Sequence, residues 1–179
     1  MMESETKWVD LSDIGLIDFP MGRSLMATDA ARTKIYNSFY RYSVDGKRRV
    51  QVPSKWRPQA DEVDFEYTLV VWPNSQLGAC LRAFPPNRMA DFMDTIQKMS
   101  AADKKAVSLR RYLGSHSDQA VLDKGGRICL PEAMVQESKI KSEAVLVGCL
   151  DFFEIWSPDR YRNVNQADEM VSEDALSLI

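Results

Sequence analysis

The most constraining feature of the chain is an internal repeat, in which the pattern of residues 45–53 recurs at residues 123–131. Asp, Arg, a β-branched residue and Pro coincide when the two stretches are aligned at an offset of 78 positions. Each copy continues into an apolar run that ends in an aromatic-x-Pro-x-Arg motif, at residues 84–88 and 156–160. Because a repeat sets the architecture, the chain is predicted to use one supersecondary unit twice.

The two copies have the same predicted order of elements: strand, turn, strand, short helix and two further strands. Apolar and polar alternation predicts strands at residues 38–44, 49–52, 68–72, 79–84, 119–122, 127–130, 144–148 and 152–156. Between the copies, one helix is predicted from Pro86 to about Met99, and a second from a capping box at Ser100 to Leu113. Gly46 is expected to supply the positive φ of the first turn.

The predicted fold class is α+β, mainly β, with a helical linker. Four short strands and one small helix cannot enclose a core alone, so two units are expected to pair with pseudo-twofold symmetry in a barrel-like sheet. The predicted segments are an N-terminal extension (1–37), a first repeat (38–89), the linker (90–115), a second repeat (116–162) and an acidic tail (163–179). The extension is expected to be partly disordered, with a short element near residues 8–16. The tail, which holds four acids and no base, is expected to fray.

Charge is distributed unequally between the copies, although the net charge is only −3. Residues 39–59 hold six basic residues and one acid, whereas the matching residues 117–137 hold two basic residues and four acids. A polyanion would be attracted to the first copy. The alternative is that the basic run is simply a solvated charged face.

Motifs for catalysis and for cofactor binding are absent from the sequence. His116 is the single histidine, and no CxxC, HxxxH, glycine-rich phosphate loop or nucleophile elbow occurs. The chain is therefore not expected to be an enzyme, to hold a metal or cofactor, or to bind a small-molecule substrate. No apolar run reaches the roughly 20 residues of a membrane span. Three scattered cysteines indicate reduced thiols in a cytoplasmic protein.

With those motifs absent, the Asp-x-x-x-Arg turns are the remaining candidates for a functional site. Asp45, Asp123 and Arg127 are expected to shape the loops through Asx hydrogen bonds and Asp–Arg pairs. The first turn carries consecutive cations, for which contact with phosphates or base edges is one interpretation and plain turn stabilisation the other. The candidate DNA-binding residues are Arg41, Lys47, Arg48, Arg49, Lys55 and Arg57.

The chain resembles the MraZ family of the AbrB-like superfamily in its doubled Asp-x-x-x-Arg turns, each of which is followed by apolar-x-apolar-Pro. The segment at residues 145–156 resembles the same family. Residues 108–113 also resemble that family. The resemblance covers about residues 38–162 and implies two swapped-hairpin-like half-units. It also implies a homo-oligomeric ring associated with the nucleoid. Such a ring would bind repeated boxes of double-stranded DNA upstream of the division and cell-wall gene cluster.

The resemblance further implies that the first turn contacts DNA, through Lys47 and Arg49. One departure lies in that turn, where Arg48 stands at the position that is usually Gly and that Gly126 keeps in the second copy. Two functions from different classes remain open at this point. One is a DNA-binding regulator; the other is an antitoxin-like or protein-interaction module of the same fold, which would hold a partner through the acidic tail or the helical linker.

Overall fold

The computed structural model describes residues 34–58, 65–73 and 77–177. The strands in these ranges are β1 (Phe39–Ser43), β2 (Arg49–Gln51), β3 (Glu66–Trp72), β4 (Cys80–Phe84), β5 (Ser117–Val121), β6 (Arg127–Cys129), β7 (Glu143–Gly148) and β8 (Phe153–Trp156). The helices are α1 (Pro86–Lys98), α2 (Lys104–Ser115), α3 (Glu132–Ser138), α4 (Pro158–Leu176) and a short 3₁₀ helix at Ser54–Trp56.

The strands form one large antiparallel sheet and one small ribbon. The large sheet has the order β1-β7-β8-β4-β3-β5, and β2 pairs with β6 in a separate two-stranded ribbon. Strands β1–β4 of the first copy correspond to β5–β8 of the second. When each strand of the large sheet is replaced by its counterpart in the other copy, the same order results, read from the opposite edge of the sheet. The α+β class is confirmed.

The pairing register follows the same exchange. In the ribbon, Val50 lies opposite Ile128, its counterpart 78 positions later. At the centre of the large sheet, Arg82 lies opposite Glu154. Each copy thus places its first strand beside the third strand of the other copy, as in the pairs β1–β7 and β5–β3. The closed barrel and the pseudo-twofold axis stay predictions.

The core lies between the large sheet and the ribbon. Val50 and Ile128 of the ribbon are fully buried, and they join a cluster with aromatic side chains that include Trp56 and Phe153. A second apolar cluster on the other face of the sheet packs α1 and α2 against Val70 of β3. The ribbon and the linker helices therefore occupy opposite sides of the large sheet.

The predicted strands are confirmed, with every boundary within two residues. Helix α1 also begins at Pro86 as predicted. The capping box at Ser100 is wrong, because Asp103 is the N-cap of α2 and its carboxylate accepts from the backbone N–H of Lys105 at 2.8 Å. The Ser100 hydroxyl instead accepts from the N–H of Ala102 in the preceding turn. A charged carboxylate is the stronger acceptor beside the positive end of a helix.

Both ends of the chain differ from the sequence expectation where the structure describes them. The element expected near residues 8–16 lies outside the described residues. Tyr36, assigned to the extension, is only 1% exposed and packs in the core. At the other end, α4 continues to Leu176, so fraying after residue 162 is wrong. Asn165 donates to Glu169 one turn later at 2.7 Å, and Tyr161 packs on the sheet. The segment boundaries stay predictions.

Candidate nucleic-acid interface

The first turn is held by one carboxylate that receives several N–H donors. The Oδ1 atom of Asp45 accepts from the backbone N–H of Lys47 at 2.9 Å and of Arg49 at 3.0 Å. Its Oδ2 atom accepts from the Nε of Arg49 at 2.8 Å. An Asx turn of this kind fixes the backbone before β2 begins. Lys47 is exposed at the tip of the turn.

The second turn repeats this geometry. Asp123 accepts from the backbone N–H of Gly125 at 2.8 Å and of Arg127 at 2.9 Å. It also accepts from the Nε of Arg127 at 3.0 Å. The two turns flank the ribbon, because β2 and β6 begin where the turns end. Lys124 is exposed in the second turn.

The two Asp–Arg pairs lie next to each other across the copies. Arg49 Nη1 is 3.8 Å from the Oδ2 atom of Asp123, and Arg127 Nη1 is 4.0 Å from that of Asp45. The four side chains make one alternating cluster of charges. The Arg49 guanidinium is therefore occupied with carboxylates, as that of Arg127 is. A direct contact of Arg49 with DNA stays a prediction.

These contacts lower the pKa of both carboxyl groups. The backbone N–H of Arg49, followed by its side chain, lowers the pKa of Asp45 from 3.8 to about 2. The pKa of Asp123 is lowered chiefly by the backbone N–H of Arg127. In both cases hydrogen bonds to the charged form outweigh the effect of burial.

We expect the protein to lose stability in acid through Asp45. Because the pKa is lowered on folding, the carboxylate stabilises the fold above its ordinary pKa, and that contribution is lost as the pH falls from about 4 to about 2. The variant Asp45→Asn cannot titrate, so its urea midpoint should fall less steeply in this range. Midpoints measured from pH 2 to pH 6 check this, with Asp94→Asn on α1 as the control. Parallel curves for Asp45→Asn and the wild-type protein would contradict it.

The left-handed position of the first turn is not at Gly46. Arg48 has φ of 58°, and its counterpart Gly126 has φ of 75°. The expectation for Gly46 is therefore wrong. The turn places its fourth residue in the left-handed region, where Gly is favoured and an Arg backbone is strained.

The structure brings some of the predicted cations together and separates one. Lys47 and Arg48 lie in the first turn, and Arg57 reaches the second turn, where it lies against Gly126. Lys55 is exposed, with its Nζ 5.5 Å from the ring centroid of Tyr40. Arg41 is separate: it alternates with Tyr40, whose side chain packs toward the core, so Arg41 points to the opposite face of the sheet.

Sequence reasoning missed one residue of this surface. The Nε2 atom of Gln51 donates to the carbonyl oxygens of Gly125 at 3.1 Å and Gly126 at 2.7 Å. Gln51 thereby ties the first copy to the turn of the second. The only available signal was its place as an outward-facing residue of a repeated strand.

The described residues contain neither a metal-binding cluster nor a membrane-spanning helix. No group of three or more His, Cys, Asp or Glu side chains in that part of the chain is arranged to hold a metal ion. No helix there is both long enough and apolar enough to cross a membrane.

Comparison with known proteins gave one family and several relatives. The family described as "MraZ protein, putative antitoxin-like" matches residues 113–177. A protein of Lachnoclostridium phytofermentans named "Transcriptional regulator MraZ" is 30% identical over 143 residues, which are 77% of this chain and 96% of that protein. Proteins of the same name from Ureaplasma urealyticum and Ligilactobacillus salivarius are 29% and 28% identical. They match 73% and 78% of this chain, and 88% and 94% of their own lengths.

Proposed function

The chain belongs to the MraZ family, and we propose that it is a transcriptional regulator that binds double-stranded DNA through the first turn. The names of its relatives support the regulatory role. The observation that carries DNA contact is the Asp45 turn, which holds Lys47 at an exposed tip by hydrogen bonds to the backbone. Binding then requires little ordering of the loop, and that lowers its entropic cost.

The cations of this turn suit two kinds of contact. Lys47 provides a mobile ammonium group for phosphates, whereas the planar Arg48 guanidinium can form paired hydrogen bonds with a phosphate or a guanine edge. Arg48 is 43% exposed in its side chain, and its Nη1 atom lies 3.7 Å from the exposed Glu132 carboxylate, which DNA would have to displace or leave in place. The Arg48 side chain reaches across the ribbon, where its Nε atom donates to the carbonyl oxygen of Leu130 at 3.2 Å. In this proposal Asp45 positions the turn and does not contact the anion.

The proposed assembly is a homo-oligomeric ring built from pseudo-symmetric, barrel-like protomers. Exposed apolar side chains beside edge strand β1 support self-association, since Phe39 is 63% and Leu150 is 69% exposed. Several turns on one ring would engage repeated boxes, and the raised effective concentration would strengthen weak single contacts. From the family resemblance, the proposed target is the division and cell-wall gene cluster, which places the protein at the nucleoid.

The proposal predicts a steep dependence of DNA affinity on salt. Purified full-length protein should select double-stranded fragments from a random pool, and fluorescence anisotropy should then give log K against log salt concentration. Each phosphate contact contributes about −0.9 to that slope, so several contacts should give a slope of about −3 or steeper. A flat dependence, or no selected fragment, would contradict DNA binding.

The second candidate is a protein-interaction module. Helix α4 exposes Met170 (86%) and Val171 (55%) beside the acids Glu169 and Asp174. Such a face suits a partner protein better than it suits DNA. Binding to that partner would be lost on removal of residues 167–179, whereas DNA binding through the first turn would survive the truncation.

A further inference from the structure

The two turns carry a guanidinium group at corresponding places, although the arginines come from different positions of the repeat. At the first turn, the Nε of Arg48 donates to the carbonyl oxygen of Leu130 at 3.2 Å. At the second turn, the Nε of Arg57 donates to the carbonyl oxygen of Val52 at 2.9 Å. Leu130 and Val52 are counterparts, 78 positions apart. The acceptors are thus equivalent and the donors are not.

The backbone hydrogen bonds around these acceptors confirm that the two places correspond. The N–H of Leu130 donates to the carbonyl oxygen of Arg48, and that of Val52 donates to the carbonyl oxygen of Gly126, both at 2.9 Å. Each acceptor residue therefore lies beside the left-handed residue of the turn that it adjoins.

Gly126 leaves the space that Arg57 fills. A Cβ atom placed on Gly126 would collide with the guanidinium of Arg57. At the first turn, the corresponding left-handed residue is Arg48, which carries its own guanidinium. The counterpart of Arg57 is Val135, which carries none. The first turn thus has Arg48 with Val135, and the second turn has Gly126 with Arg57 at the corresponding positions.

We propose that Arg57 completes the second turn as an anion-binding element, so that each chain presents two cationic turns to DNA. The first turn offers Lys47 and Arg48; the second offers Lys124 and Arg57. The inference rests on the proposed function and extends it, because DNA contact by one chain becomes bivalent. The acidic balance of the second copy's sequence does not indicate this arrangement, because the Arg57 guanidinium comes from the first copy.

The test gives the second turn the residue pair of the first turn and compares the DNA binding of that variant with the loss of Arg57 alone. The double variant Arg57→Val with Gly126→Arg gives the second turn the residue pair of the first, while Arg57→Val alone removes the guanidinium. Arg57→Met is a second single variant, whose long apolar side chain still covers Gly126 if the valine variant folds poorly. Arg111→Met, which removes an exposed guanidinium from α2 on the far side of the sheet, is the matched control.

DNA affinity and its salt slope are measured for all variants on the fragment selected by the wild-type protein, with urea midpoints as the check of folding. Arg57→Val and Arg57→Met should bind about tenfold more weakly, the effect of one lost charge-assisted contact. Their salt slopes should become shallower by about 0.9 for each chain in contact. The double variant should recover both values, and Arg111→Met should keep them.

Two results would overturn the inference while leaving the first turn as the DNA site. One is wild-type affinity and slope in Arg57→Met; the other is a folded double variant that binds as weakly as Arg57→Val. A wild-type protein without salt-dependent DNA binding would instead remove the proposed function itself. A purely structural role of Arg57 would lower the urea midpoint without changing the salt slope.

Discussion

Replacing Trp56 with alanine is expected to remove about 3–5 kcal/mol from the free energy of unfolding. The side chain is fully buried. Its ring centroid lies 5.2 Å from those of Tyr40 and Phe153 and 5.8 Å from that of Tyr36. The indole N–H also donates to the carbonyl oxygen of Asn37 at 3.2 Å. Alanine would leave a cavity between the copies and an acceptor without its donor.

This loss would be a large fraction of the roughly 5–15 kcal/mol that stabilises a typical domain. Urea titration followed by circular dichroism measures it, and the cooperativity of the transition shows whether the core still unfolds as a unit. The comparison variant is Met134→Ala at the counterpart position, which removes a smaller, non-aromatic side chain from the same core. A change below about 1 kcal/mol for Trp56→Ala would contradict the central position of this side chain.

The sequence predicted the elements well because their signals are local. Alternation in residues such as Tyr40 and Tyr42 marks a strand whichever partner it has, and Pro53 and Pro131 end the ribbon strands in both copies. Pairing between strands could not be obtained in the same way. Counterpart strands have similar patterns, so pairing within a copy satisfies the alternation as well as the observed exchange of β1 and β5 between copies.

In the candidate site too, the local contacts were predictable from the sequence and the long-range contacts were not. The spacing of Asp45 and Arg49 predicts a turn with an internal ion pair, and the structure has this pair at 2.7 Å. The approach of Arg57 to Gly126 is different, because the two residues are 69 positions apart and only the exchanged fold brings them together. The left-handed conformation of Arg48 could not be predicted from the sequence either, because Gly46 is the residue of this turn that favours that conformation intrinsically.

Reversing the charge of the two exposed lysines of the first copy, with Lys47→Glu and Lys55→Glu together, is expected to weaken DNA binding about 100-fold. In the proposed interface each lysine makes one charge-assisted contact, worth about 1.5 kcal/mol, and two such losses amount to about 3 kcal/mol. Added repulsion from the new carboxylates acts in the same direction. The salt slope should become shallower by about 1.8, because two phosphate contacts are lost.

The fold should survive this change, since both side chains are exposed and neither belongs to the apolar core. The matched control is Lys98→Glu with Lys105→Glu, two exposed lysines on α1 and α2. It changes the net charge equally, but its residues lie on the side of the sheet opposite the ribbon. If both double variants lost affinity to the same extent, the effect would come from net charge at long range. Only a loss confined to the Lys47 and Lys55 variant places the DNA on the ribbon side of the sheet, because screening at 0.1 M salt limits charge effects to about 10 Å.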